Sequence, residues 1–271
     1  MDRENVGIGY IQFDVTHDKE ENLKKVEDEL QYMDCDIVVL PELCMSGFIF
    51  DTKDELIARA EPVPGGSTVK AMEELSAKYN CTLVFGLSEI DDGKIYDTAA
   101  VVSKGKYIDK YRKIHLSDFV KNCYTEGDRV NVIEVDGVKL GVQICFDLWF
   151  PEISRMQVLD GAEMICCLCS YNGNTTEKIA SVRAIENRIP IIVANRMGCE
   201  RTIDWSASYM GNSVIIGANG HAITDSIGNT ECSGLTSVDL NDRCGSSFCE
   251  DFMPEITRHH QGGPLTPPCA G

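Results

Sequence analysis

No uninterrupted apolar stretch among the 271 residues approaches the roughly 18 that a membrane-spanning helix needs. Basic residues are scarce: 25 Lys and Arg stand against 43 Asp and Glu, a net charge of −18. Such a surface repels phosphate backbones and acidic bilayers, so neither a nucleic acid nor a membrane is expected as a partner. An export signal is also missing. The opening Met1-Asp2-Arg3-Glu4-Asn5 is charged and leads straight into a strand-like run, so no secretory leader is expected. Low-complexity segments, short-period repeats and interdomain linkers are absent too, which sets the expectation of one domain over residues 1–271. Cysteine is the residue not in short supply. Thirteen, an odd number in a chain without an export signal, read as reduced thiols of a cytoplasmic protein, most of them acting as small buried hydrophobes. With 43% hydrophobic and 25% charged residues, a sizeable core can be buried and global disorder is excluded.

What is present is an alternation of strand and helix patterns. Val6–Val15 reads as a strand and Lys19–Met33 as an amphipathic helix with Leu23, Val26, Leu30 and Met33 on one face. Ile37–Leu40 is a short, wholly apolar run that fits a buried strand, stopped by Pro41. Ser67 is read as the cap of a helix carrying Val69, Met72 and Leu75. Cys81–Leu87, Ile95–Ser103 and Lys106–Asp109 read as strands joined at Asp91-Asp92-Gly93 and Lys104-Gly105. Val132–Val135 and Val138–Ile144 form a further pair around Asp136-Gly137. Pro151 opens a helix to Leu159, Met164–Cys169 is a buried strand, Thr175–Arg188 a helix and Ile191–Asn195 a strand. Ser213–Ala218 and His221–Asp225 suggest a late hairpin, and from about Leu240 an irregular tail follows. These patterns predict an α/β domain with helices on both faces of its sheets.

Three polar residues directly follow strand-like runs: Glu42 after Ile37–Pro41, Lys113 after Tyr107–Arg112, and Cys145 after the alternating Val138–Ile144. Strand ends are where α/β scaffolds hold reactive groups. Taken singly, a cysteine reads as structural and a lone glutamate or lysine as solvated surface. Context changes that. Leu40-Pro41-Glu42-Leu43, Tyr111-Arg112-Lys113-Ile114-His115-Leu116 and Gly141-Val142-Gln143-Ile144-Cys145-Phe146-Asp147-Leu148-Trp149-Phe150-Pro151-Glu152 occur in that order. Together they closely resemble the signatures of the nitrilase superfamily, the carbon–nitrogen hydrolases. Val182–Asn187 and Ala194–Gly198 resemble two further family blocks, so the likeness runs from Gly7 to about Gly220.

The resemblance implies a four-layer αββα sandwich, commonly paired as a homodimer or higher homo-oligomer. It implies Cys145 as nucleophile on an amide-type carbon, Glu42 as the proton carrier and Lys113 as a fixed charge near the developing oxyanion, helped by a backbone N–H beside Cys145. No metal or organic cofactor is required by that chemistry. The implied partner is a small amide or N-carbamoyl substrate that loses ammonia through a cysteine thioester. An acyl transferase using the same thioester, or a silent binding or scaffold subunit, are the rival readings. The Trp149-Phe150-Pro151-Glu152 run resembles members acting on N-carbamoyl amines and small primary amides.

One departure stands out. Family members usually carry a second glutamate between the lysine and cysteine motifs, against the lysine. Here that segment is short and its one glutamate is Glu126, so Asp118, Glu126 or nothing fills the role. Arg183 and Asn195 read as structural salt-bridging and hydrogen-bonding groups ahead of substrate contacts, and His115 as a brace of the lysine loop. Cys166-Cys167-Leu168-Cys169 lies in a strand-like run and, like Cys244 and Cys249 with His259 and His260, lacks zinc-site spacing.

Overall fold

The computed structural model describes residues 5–117, 120–225, 227–241 and 252–260. The first half consists of β1 (Val6–Gln12), α1 (Lys19–Leu30), β2 (Ile37–Val39), α2 (Lys53–Arg59), α3 (Ser67–Lys78), β3 (Thr82–Asp91), β4 (Lys94–Ser103) and β5 (Lys106–Arg112). The second half runs β6 (Val132–Val135), β7 (Val138–Ile144), α4 (Pro151–Leu159), β8 (Met164–Cys169), α5 (Thr175–Asn187) and β9 (Ile191–Asn195). After these come β10 (Met197–Arg201), β11 (Ser206–Met210), β12 (Val214–Ile216), β13 (Cys232–Val238) and α6 (Phe252–His260).

Two sheets face each other. One has the order β13-β1-β2-β3-β4-β5 and the other β12-β9-β8-β7-β6, while β10 and β11 form a separate ribbon. Val6, Ile8, Val39, Val84 and Val101 of the first sheet meet Leu140, Val142, Ile144, Cys166 and Ile192 of the second in one buried layer. The outer face of the first sheet packs Ile11, Val38, Leu83 and Phe85 against Val26 and Leu30 of α1 and Val69 and Met72 of α3. The outer face of the second packs Ile165, Cys167 and Val193 against Val158 of α4 and Ala180 and Ala184 of α5. That is the αββα sandwich. It arises because β-strands buried on both faces tolerate runs such as Ile37-Val38-Val39, each residue facing one layer or the other.

The three tight turns follow from residues that accept positive φ. Asp92-Gly93, Lys104-Gly105 and Asp136-Gly137 all have φ between 47° and 85°, the geometry whose twist suits a two-residue hairpin. Several expectations are corrected. Helix α3 is capped by Gly66, and Ser67 is already its first residue. The cap is supplied across the loop, where Glu61 accepts from the Thr68 N–H at 2.8 Å, in space that only a residue without Cβ leaves open. The first strand ends at Gln12 and α1 at Leu30, each short of expectation. The late hairpin is reduced to β12 and a single bridge, Ile216 to Ala222. Phe252–His260 is helical where an irregular tail is expected, and Gly262-Gly263-Pro264 lies outside the described residues. None of the ten described cysteines forms a disulfide, and among the described residues no helix is long and apolar enough to cross a membrane.

Candidate active site

Strand β7 stops at Ile144, and Cys145 starts a 3-10 turn that runs to Trp149. Cys145 has φ of 48°, a left-handed conformation that a residue with a Cβ holds only when its surroundings over-determine it. The side chain is half-buried. Parallel register pairs Ile144 with Leu168, which brings Cys169 of β8 beside Cys145, close enough for each thiol to feel the other. Cys167 Sγ lies a further 3.4 Å from Cys169 Sγ. Burial above all pushes the Cys169 thiol well up, and its thiol neighbours add to this, so it stays a neutral partner.

Glu42 leaves β2 through Leu40-Pro41 and is fully buried. The turn that carries it is pressed against β3. A Cβ at Gly86 would stand 2.3 Å from the Leu43 nitrogen, so glycine alone lets the two backbones approach this closely. Leu43 takes a left-handed φ of 48°, and Met45 N donates to Gly86 O at 3.2 Å. Lys113 follows β5 immediately. Its N–H donates to Asp97 O at 2.9 Å and its carbonyl accepts from Gly127 N at 2.8 Å, which fixes the backbone on both sides. The Nζ donates to Glu42 Oε1 and lies 3.2 Å from Asp97 Oδ2. Burial lowers the proton affinity of Lys113, but the facing acids, Glu42 foremost, and the nearby Cys145 outweigh it and hold the ammonium well above its ordinary range. Lys113 is therefore a charged group with its side chain only 3% exposed.

The lysine and cysteine loops are tied to each other by Asp147, two residues past Cys145. Its Oδ1 accepts from the His115 backbone N–H at 2.8 Å and lies 3.0 Å from His115 Nδ1. Its Oδ2 accepts from the Tyr111 hydroxyl at 2.9 Å. His115 in turn stacks on Phe150, with ring centroids 3.6 Å apart at 7°. The far end of the 3-10 turn is held by Arg183, whose Nε and Nη2 donate to the carbonyls of Leu148 and Trp149, both at 3.0 Å. Asn195 is fully buried, accepting from Tyr171 N at 3.0 Å and donating to Gly211 O at 2.6 Å. Both residues spend these groups on bonds within the protein, in line with the structural one of their two readings. Opposite the turn, the buried Glu200 of β10 accepts from the N–H groups of Phe48 and Ile49, at 3.0 and 3.2 Å, and so pins the loop that follows Glu42.

Of the two acids open as a second carboxyl, Glu126 is exposed, and only its neighbour Gly127 touches the Lys113 backbone. Asp118 lies outside the described residues. The residue that meets Lys113 is Asp97.

The carbon–nitrogen hydrolase family profile matches residues 7–246, most of the chain. The chain belongs to that family. Among carbon–nitrogen hydrolases, a nitrilase of Pyrococcus abyssi is 30% identical over 243 residues, covering 87% of this chain and 90% of the relative. An (R)-stereoselective amidase of a Pseudomonas species is 28% identical over 228 residues, with 82% and 80% covered. The fold matches that of a carbon–nitrogen hydrolase from Helicobacter pylori G27 with a TM-score of 0.81, at 22% identity and with 92% and 98% of the two chains covered.

For a carbon–nitrogen hydrolase, the sequence reading of this site misses Asp97 and Asp147. Asp97 hides in a strand that reads as plain β-structure, and nothing in Tyr96-Asp97-Thr98 shows that antiparallel pairing will set it beside Lys113. Asp147 carries a fainter sign: an acid two residues past the cysteine, in an otherwise apolar and aromatic run, has to find donors when buried.

Proposed function

We propose that this protein hydrolyses a non-peptide C–N bond in a small amide or N-carbamoyl compound through a thioester on Cys145, releasing ammonia. The observation that carries the reading is a buried, charged Lys113 bonded to Glu42 within electrostatic reach of Cys145. Glu42 takes the thiol proton as sulfur bonds to the substrate carbon, and the carbonyl oxygen gains the negative charge. The Lys113 ammonium faces that charge, with the first N–H groups of the turn beginning at Cys145 as further donors. Glu42 then passes the proton to nitrogen, the C–N bond breaks and ammonia leaves. Water adds to the thioester, giving its proton to Glu42; collapse releases the acid and returns the proton to sulfur. The left-handed backbone at Cys145 supports the reading, since strain of this kind gathers at reacting groups.

The Trp149-Phe150-Pro151-Glu152 run favours amides and carbamoyl compounds over nitriles. The test is ammonia release by the purified protein and its Cys145→Ala variant over ω-amides, aliphatic amides, N-carbamoyl amines and acids, and nitriles. Release from an amide or carbamoyl compound that needs Cys145 is expected. Release from nitriles alone would overturn the substrate class. Diversion of product by added hydroxylamine, with no hydrolysis in its absence, would make the protein an acyl transferase instead. A Cys145 no more reactive to thiol probes than the other cysteines, together with silence over the panel, would make it a binding subunit.

A further inference from the structure

Asp97 lies on β4 and is 1% exposed. One of its oxygens, Oδ2, is 3.2 Å from Lys113 Nζ, and its carboxyl group is in hydrogen-bonding contact with that of Glu42. Each of the two acids thus gives one oxygen to the same ammonium. Their other oxygens, Glu42 Oε2 and Asp97 Oδ1, are buried with no donor among the described residues. Within electrostatic reach of the cluster are the Tyr124 hydroxyl, engaged with Ser88 at 2.9 Å, the Tyr209 hydroxyl, engaged with Glu200 at 3.1 Å, and, on the side of Lys113, the Cys145 thiol. Two ionised carboxylates in contact inside a buried site repel each other, and one ammonium cannot neutralise both. A single proton between them removes the repulsion and gives the orphaned oxygens a partner.

We infer that Asp97 is the second carboxyl group of this site, a positioning residue that shares one proton with Glu42 and holds the Lys113 ammonium in place beside Cys145. The inference rests on the roles proposed above for Glu42, Lys113 and Cys145. Burial is the main influence on Asp97 and pushes its carboxyl well above the ordinary range; Lys113 pulls it down and Glu42 pushes it up again. With the proton in place, Lys113, Glu42 and Asp97 sum to zero charge. An ionised Asp97 would add a negative charge where the thiolate and the oxyanion form, opposing both. Asp97 therefore does from β4 what neither Glu126 nor any other described residue does from the segment after Lys113.

Two substitutions separate this role from plain packing. Asp97→Asn keeps the size, can accept from Lys113 and can donate to Glu42, as the protonated acid does. Asp97→Ala removes both bonds. Asn is expected to hold kcat within about threefold of the parent, whereas Ala lowers kcat by about 100-fold with little change in KM, the scale of losing one oriented charge-stabilising group. Infrared spectroscopy of the substrate-free protein reads the proton directly: a protonated-carboxyl C=O band at neutral pH, present in the parent and lost in Asp97→Asn. A parent without that band, a band that survives in Asp97→Asn, or an Asp97→Ala variant with parental kcat would each overturn the inference. The infrared measurement needs no substrate. If the whole amide and nitrile panel is inert, the proposed reaction fails, and the band still decides the state of Asp97.

Discussion

Cys145, Lys113 and Glu42 differ in what they lose on substitution. Cys145→Ala removes the only atom that bonds to substrate in the proposed path, so turnover should vanish while the circular dichroism spectrum stays unchanged; parental turnover would remove Cys145 as nucleophile. Lys113→Ala removes a preorganised charge whose worth in comparable sites is about 3 kcal/mol, so kcat should fall by a factor on the order of 100. It also leaves Glu42 and Asp97 buried without their cation, so a loss of stability should accompany the loss of rate. Asp147→Ala is a different kind of test, because this residue touches neither Glu42 nor the Cys145 thiol in the described contacts. It bonds His115 and Tyr111 and so sets how the lysine loop sits against the cysteine turn. Removing a buried carboxylate with such bonds should cost about 2–4 kcal/mol of stability. Steady-state kinetics should then show kcat reduced more than KM, since the reacting groups lose alignment and keep their chemistry. An Asp147→Ala enzyme with parental kcat would show that the two loops hold their spacing without it.

Elements deliver these residues, and the Glu42 loop depends on how closely β3 approaches it. Gly86→Ala places a Cβ 2.3 Å from the Leu43 nitrogen, a backbone atom that cannot swing aside. The expected result is about 1–3 kcal/mol of destabilisation, measured by urea unfolding, together with reduced kcat as the Glu42 turn is displaced. Unchanged values for both would mean the loop relaxes freely. The same elements show what a sequence can and cannot disclose. Strands β6, β7, β8 and β9 and helix α4 have the bounds their patterns predict, because apolar runs closed by Asp-Gly, by Pro151 or by polar loops leave little choice. Glu42, Lys113 and Cys145 stand out as candidates through their flanking motifs, and the fold sets Lys113 against Glu42. Strand β13 does not stand out: Cys232–Val238 is a half-exposed edge strand with Gly234 as its third residue, and its pairing with β1 supplies order that its own composition lacks. The ribbon of β10 and β11 is half-exposed and likewise carries no apolar run, although Glu200 within it accepts from the backbone of the loop that follows Glu42. Helix α2 carries a local sign of its own start. Thr52 caps it by accepting from Glu55 N at 3.2 Å, and Glu55 returns a bond to Asp51 N at 3.1 Å, one residue before the cap, a local variant of the capping box. Asp97 was beyond reach, since its significance lies in a neighbour brought to it by sheet register.

Across the whole molecule, buried acids decide how stability varies with pH, and they fall into two groups of opposite sign. Glu89 is fully buried on β3; burial pushes its carboxyl up, but Arg112, Lys110 and Thr98 outweigh this and hold it below its ordinary 4.5. Arg112 Nε approaches Glu89 Oε2 at 2.9 Å, so this acid ties β3 to the end of β5, one residue before Lys113. Glu200 is likewise held low against its own burial, by His17, Arg196 and the Phe48 N–H. An acid whose folded-state pKa is depressed contributes stability that is fully present above the unfolded value and is lost as pH falls through the folded one. The urea midpoint should therefore decline as pH drops below about 4.5 and keep falling as Glu89 and Glu200 take up protons. Asp97 runs the other way. Its folded carboxyl is raised above the ordinary 3.8, so it binds its proton more tightly in the folded state and detracts from stability increasingly as pH rises past 3.8. Urea midpoints of the parent, Glu89→Gln and Asp97→Asn between acid and neutral pH separate the two. Glu89→Gln should be weaker than the parent at neutral pH and show a shallower acid limb, because the group that titrates is gone. Asp97→Asn should match the parent near the acid end and exceed it at neutral pH. Parallel curves for Glu89→Gln and the parent would remove Glu89 from the acid limb. A parent that stays more stable than Asp97→Asn at neutral pH would show that ionised Asp97 and Lys113 form a net favourable pair, and that the site holds one proton fewer than its geometry implies.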